Sequence, residues 1–236
     1  ALAAPVGVTN MLALLADVHG NLEALDAVLQ DVDDRVPGAR VVCAGDVVGY
    51  GPDPEACLDR LLARDALIVR GNHEEMVLGW RSDEGCVAAG VLAAAYTRAR
   101  LSPAAHAALA RLPAVAVVDD DVVVCHGDLD DAGSYVSDDD AADAALARLA
   151  ERFPAATTLV CGHTHRPLHR DAAKRRLINP GAVGQSRDAH ALARWCAYDA
   201  AAGSVVFHAV AYDHARTIEK LRRAGLVAQV TMPPPR

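Results

Sequence analysis

Five of the ten histidines sit in short polar runs that end apolar stretches: Asp17-Val18-His19, Gly71-Asn72-His73-Glu74, His126-Gly127-Asp128 and Gly162-His163-Thr164-His165, with Gly45-Asp46 a further break of the same kind. An apolar run followed by Gly and a ligand residue reads as a strand whose carboxyl end opens into a loop, and sites in open α/β sheets form where such ends converge. The donor inventory is Asp, Asn and His with no Cys, a mixture that suits borderline to hard divalent metals. Asp17, His19, Asp46, Asn72, His126, His163 and His165 make seven candidate ligands. Two ions need more contacts than that, so one carboxylate is expected to bridge; two ions roughly 3.5–4 Å apart can clamp the attacking and leaving oxygens of a displacement at phosphorus. His73, beside Asn72, is left over as a proton donor or a phosphate contact. A lone histidine is more often a hydrogen-bonded structural residue, but recurrence of one pattern at five breaks outweighs that explanation for the set.

The ordered series Asp-x-His, Gly-Asp, Gly-Asn-His-Glu, His-Gly and Gly-His-Thr-His resembles the calcineurin-like metallophosphoesterase superfamily from about Met11 to Asp213. Gly45-Asp46-Val47-Val48-Gly49-Tyr50-Gly51-Pro52 and Asn179-Pro180-Gly181-Ala182-Val183-Gly184-Gln185 look like its small bacterial and archaeal branch, the YfcE-like phosphodiesterases. The resemblance implies a four-layer α-β-β-α sandwich. It assigns one metal to Asp17, His19 and His165, the other to Asn72, His126 and His163, with Asp46 bridging. His73 matches the histidine thought to protonate the leaving oxygen. Protein phosphatases of the superfamily carry Gly-Asp-x-x-Asp-Arg-Gly, and Gly49 and Tyr50 stand here where that Asp and Arg would be, which argues against phosphoprotein hydrolysis. Close relatives often read His-Gly-Ser-Pro where Asp128 and Leu129 follow Gly127, a change in loop shape that leaves His126 in place.

The elements needed to position these residues are legible. Leu12–Ala16, Val41–Ala44 and Leu67–Val69 read as strands, with helices over Asn21–Val32 and Pro54–Arg64 between them. Such a β-α-β-α-β run implies parallel strands with right-handed crossovers. Residues 74–110 read as mostly helical, broken near 82–85 and at Ser102-Pro103. Val115–Val118 with Val122–Cys125, Pro167–Arg170 with Arg176–Ile178, and Arg194–Asp199 with Ser204–Val210 read as hairpins, Ser137–Leu149 as a capped helix, Thr158–Cys161 as a strand, and Thr217–Arg223 as a short closing helix. Parallel strands first and hairpins later suggest two packed sheets with helices outside. Residues 1–10 read as a leader segment ahead of Met11, 11–225 as a single domain, and 226–236 as a tail.

The 236 residues are 52% hydrophobic, enough for a sizeable core. The net charge of −8 argues against stable nucleic-acid binding, and no apolar run reaches membrane-span length. Six scattered cysteines without a Cys-x-x-Cys pair fit a reduced, cytoplasmic setting. Oligomeric state is not set by any of these features.

Other residues carry weaker signals. Tyr50, between two glycines just after Asp46, is a candidate substrate contact, as are Gln185 and Arg187 after the Asn-Pro-Gly turn. Asn21 and Asn179 are candidates for orienting the metal ligands. Thr164 is expected to stabilise its turn, and Trp80 and Trp195 to pack in the core or on helices. His106, His169, His190, His208 and His214 lack ligand neighbours, and the acids at 128–131 and 138–140 read as a solvated loop and a helix start.

The function expected is therefore a phosphoester hydrolase with two divalent transition-metal ions, manganese first with iron, zinc or nickel as alternatives. It would favour small phosphodiesters, with monoesters or nucleotide-like substrates also in reach, through attack of a metal-bridging hydroxide and protonation of the leaving group by His73. The rivals are a nucleotide phosphatase or dinucleoside polyphosphate hydrolase on the same metals, and an inactive scaffold like the retromer subunit of this fold.

Overall fold

Alternation along the first strand shows how the layers arise. In β1 (Met11–Leu15), Leu12 and Leu14 enter one apolar cluster while Ala13 and Leu15 enter another, and all four are buried. A strand covered on both faces reads as a continuous apolar run. The computed structural model describes residues 10–84, 86–187 and 191–226, and its strands form two five-stranded sheets. In the first, β1 pairs in parallel with β2 (Arg40–Cys43), which pairs in parallel with β3 (Leu67–Ile68); β9 (Ala193–Asp199) runs antiparallel on the other side of β1 and pairs with β10 (Ser204–Val210). In the second, β5 (Val122–Val124), β6 (Thr158–Val160) and β8 (Arg175–Pro180) are parallel, flanked by antiparallel β4 (Ala116–Val118) and β7 (Pro167–Ala172).

Leu12, Leu14 and Val42 of the first sheet meet Val122, Val124, Val160 and Ile178 of the second between the sheets. Outside the first sheet lie α1 (Leu22–Arg35) and α2 (Pro54–Leu62), bringing Leu25, Val28, Leu29, Leu58 and Leu61 onto Ala13, Leu15 and Cys43. Outside the second, α6 (Asp139–Arg152) brings Leu146 and Leu149 onto Val123, Leu159 and Leu177. The result is the expected four-layer α-β-β-α sandwich. Around its edge run α3 (Asn72–Leu78), α4 (Ala88–Arg100), α5 (Pro103–Arg111) and α7 (His214–Arg223).

Four local differences from the sequence reading stand out. α3 begins at Asn72, inside the motif that looked like a loop, because the Asp46 carboxylate and the Glu74 side chain accept its first amide hydrogens. The β7–β8 turn is tighter than expected, with Ala173 and Lys174 both left-handed (φ 49° and 65°), the backbone of a two-residue hairpin without its usual Asn-Gly. Trp80 is 55% exposed under the Arg70 guanidinium rather than packed in the core or on a helix, whereas Trp195 is fully buried with its Nε1 donating to Asp31. Leu226, read as the start of the tail, is buried beside Leu221. The expected leader falls almost wholly outside the described residues, as do residues 227–236 and His190.

Candidate active site

The five polar breaks converge at the carboxyl ends of β1, β2, β3, β5 and β6. Asp17, His19, Asp46, His163 and His165 all adopt left-handed backbone conformations, φ between 50° and 65°. Non-glycine residues hold this conformation at a cost that surrounding structure must impose, and such residues cluster at functional sites. Here the turns are pinned to one another: the amides of Asp17, His19 and Gly20 donate to the carbonyls of Gly45, Asp46 and Val47, and the His163 amide donates to Asp17 Oδ1.

Asp17, His19 and His165 come together on one side, and Asp46, His126 and His163 on the other, each trio with donor atoms within 4.8 Å of one another. His126 Nε2 lies 3.1 Å from Asp46 Oδ2 and 3.1 Å from Asn72 Oδ1, so Asn72 joins the second group. His19 Nε2 is 3.7 Å from Asp46 Oδ2, which places Asp46 between the two groups. All seven candidate ligands are therefore gathered in one place.

The hydrogen bonding fits metal ligation. Nδ1 of His19, His126 and His165 each donates to a backbone carbonyl, of Val48 (3.1 Å), Ala44 (2.6 Å) and Gln185 (2.6 Å). A carbonyl can only accept, so each Nδ1 carries a proton; in neutral His19 and His165 the Nε2 lone pair therefore faces the site, the arrangement typical of metal-binding histidines. Nε2 of His19 and His165 face each other at 3.1 Å. Asp17 Oδ2 and His163 Nε2 are buried without a hydrogen-bond partner, as an atom reserved for a cation would be.

Electrostatics point the same way. Burial lowers the pKa of His163 to about 4 and of His165 to about 3, and lowers His19 well below the ordinary imidazole value, so these rings are neutral. Burial raises Asp17 to about 7. His126 is pulled down by burial but carried to about 10 by Asp46 and Asp17, so a proton there offsets the carboxylates that a cation would otherwise neutralise.

His73 lies on the first turn of α3, 5% exposed, with its ring edge-on to His19 (4.8 Å) and 4.6 Å from Tyr50. It rests over Gly49: a Cβ there would come within 2.3 Å of His73 Nδ1, and Gly49 has φ +88°, so only glycine serves. Tyr50 and Arg187 line the cleft above the site, about 410 Å³, together with Met76, Arg81, Val87 and Tyr135. Gln185 is instead buried, holding His165 through its backbone carbonyl. Asn21 caps α1 and donates from Nδ2 to Gly184 O at 3.0 Å, tying the first motif to the loop after β8. Asn179 donates from Nδ2 to Gly162 O and to Thr164 Oγ1, fixing the His-Thr-His turn in which Thr164 also bonds Arg166. The acids at 128–131 hold their loop and pair with Arg81, Arg148 and Arg152.

Sequence reasoning missed Glu74. It is fully buried, its Oε2 accepting from the amides of Asp46 (2.9 Å) and Gly71 (2.8 Å) and its Oε1 from Val48 (3.0 Å). It thereby clips the loop of the bridging candidate to the start of α3. A Glu at the third position of a helix is a capping signature that could have marked it.

The family model of the calcineurin-like phosphoesterase superfamily domain matches residues 11–201. An uncharacterised protein of Methanocaldococcus jannaschii is 30% identical over 234 residues, covering 91% of this chain and 93% of its own. A metallophosphoesterase from Sphaerobacter thermophilus is 32% identical with a TM-score of 0.77, covering 94% of this chain and 97% of its own. A hypothetical protein from Pyrococcus horikoshii, 19% identical, shares the fold at a TM-score of 0.82 over 94% of this chain and 96% of its own. The family match takes in nine of the ten strands among the described residues, all but β10, and every polar break that converges on the cleft, and the chain belongs to the calcineurin-like phosphoesterase superfamily as a phosphoric ester hydrolase.

Proposed function

We propose that the chain hydrolyses small phosphodiesters with two divalent transition-metal ions, manganese first, in a reduced cytoplasmic setting. The observation that carries this is the pair of ligand trios with Asp46 between them and their imidazole Nε2 lone pairs turned inward. Such ions would neutralise phosphoryl charge and supply an acidified water as nucleophile. Asp17, His19 and His165 would hold one, Asn72, His126 and His163 the other, with Asp46 shared. His73, at the cleft floor and not needed by either set, donates its proton to the leaving oxygen. Burial keeps its imidazole below the ordinary value while Asp46 draws it up, and an anionic phosphoryl group nearby would draw it up further. Arg187 is placed to meet phosphate oxygens and Tyr50 the ester group, while Asn21 and Asn179 orient the ligand turns. Six unpaired cysteines support the reduced setting, and no helix among the described residues is long and apolar enough to cross a membrane.

The test is a panel of diesters, monoesters, nucleotides and dinucleoside polyphosphates on protein reconstituted with each metal, alongside elemental analysis. Two ions per chain and fastest turnover of diesters are expected. One ion per chain sinks the dinuclear assignment, and preference for nucleotides or dinucleoside polyphosphates moves the substrate to that class.

A further inference from the structure

We infer that the cleft wall formed by Tyr50, Met76, Cys86, Val87 and Gly90 is a subsite for a broad, flat, apolar leaving group, and that Gly90 sets its width. This rests on the phosphoesterase reading above and adds the chemical class of the ester group.

The starting point is a glycine that the fold does not ask for. Gly90 lies in the first turn of α4, where alanine favours the helix more. Its backbone is right-handed helical and it is absent from the glycines with positive φ, so conformational freedom is not the reason. Steric need is not the reason either: a Cβ built on Gly90 meets the Tyr50 hydroxyl at 3.5 Å, Val87 Cγ2 at 3.8 Å and Tyr50 Cε1 at 3.9 Å, ordinary van der Waals distances. Contrast Gly49, whose Cβ would strike His73 at 2.3 Å. Both neighbours of the missing methyl line the cleft, so what glycine preserves at 90 is cleft space.

The side chains on this side of the cleft are soft, while Arg81, Ser82, Glu84 and Arg187 line the rest of it. The Tyr50 ring lies against His73 at 4.6 Å, and Cys86 Sγ lies 4.0 Å from Met76 Sδ. Sulfur and aromatic surfaces of this kind suit the faces of aromatic groups. Because Tyr50 touches the histidine assigned to the leaving oxygen, the subsite lies on the leaving-group side. Burial pushes the Tyr50 phenol up, so it stays neutral and presents a ring and hydroxyl rather than a charge.

The experiment compares the full chain with Gly90→Ala and Gly90→Val, each loaded with manganese. The substrates are two methyl aryl phosphodiesters whose phenols are close in acidity and differ in width, 4-nitrophenyl and 4-methylumbelliferyl. The intrinsic reactivity difference is the same for every variant, so the change in the kcat/KM ratio reports fit. One methylene in an apolar pocket is worth roughly 10–200-fold. The wide-to-narrow ratio should fall about tenfold in Gly90→Ala and further in Gly90→Val, while the thermal midpoint of Gly90→Ala holds or rises. An unchanged ratio, whether or not both activities drop together, overturns the subsite. If the unsubstituted protein hydrolyses neither ester, the phosphodiesterase reading falls and this inference with it.

Discussion

At the scale of single residues, Asp46 and His73 sit side by side and are expected to fail differently. Asp46→Asn removes the charge shared by the two ligand trios, so metal content and turnover should fall together. His73→Ala leaves all seven candidate ligands in place, so metals should stay while turnover drops by about 10²–10⁴-fold, the size of a general-acid contribution. The loss should shrink for a nitrophenolate leaving group, whose oxygen hardly needs a proton. Elemental analysis beside kinetics separates the cases; loss of a metal on His73→Ala would make His73 a ligand, as its grouping with His19 and Asp46 would allow. Glu74→Gln makes a different prediction. Glutamine offers one acceptor oxygen where Glu74 uses two to hold three amides, so a buried amide hydrogen loses its partner. Stability of the chelator-treated protein should fall by about 1–3 kcal/mol in chemical denaturation, and metal affinity by roughly 10–100-fold as the Asp46 loop loosens. Unchanged stability would mean that Glu74 does not clip the loop.

At the scale of elements, α7 reaches the site by a short relay. Thr217 is fully buried, its Oγ1 donating to Asn21 Oδ1 at 3.1 Å, and Asn21 holds Gly184 on the loop after β8. Lys220 adds ion pairs to Glu23 and Asp53, the latter at 2.8 Å. Thr217→Val keeps the shape and removes the hydroxyl, so it should cost about 1 kcal/mol. Denaturant melts measure that cost; an equal loss on replacing exposed Glu219 would assign the effect to the helix as a whole rather than to the relay.

At the scale of the whole molecule, the candidate ligands come from the loops of both sheets, so a cation at the site would link the two layers in addition to the apolar contact between them. Asp17 and Asp46 come from the first sheet's loops, and His126, His163 and His165 from the second's. Binding to the folded state alone stabilises it by mass action, about 2.7 kcal/mol for one ion at a hundred times its Kd. For a chain of this size that is roughly 5–11 °C in Tm. Scanning calorimetry with manganese and with chelator checks it, and coincident transitions would show that no ion bridges the layers.

The sequence alone determined most of the elements and the whole set of candidate ligands. Apolar runs broken by Gly, Asp and His are local signals, written in adjacent residues, and all five breaks fall at strand ends as their pattern implied. The two-sheet sandwich was legible in outline, since β-α-β order forces parallel strands and close hairpins follow. What the sequence did not carry is whatever depends on partners distant in the chain. Glu74 reads as an ordinary helix-start acid until the Asp46 loop arrives above it. Gln185 reads as a polar side chain near a site until the fold buries it and its backbone carbonyl meets His165. The Ala173-Lys174 turn has no glycine to announce it, because cross-strand pairing of β7 with β8 compels the left-handed backbone that propensity disfavours. The width of the cleft at Gly90 is likewise decided by the distance from α4 to Tyr50, a tertiary quantity that no local pattern contains.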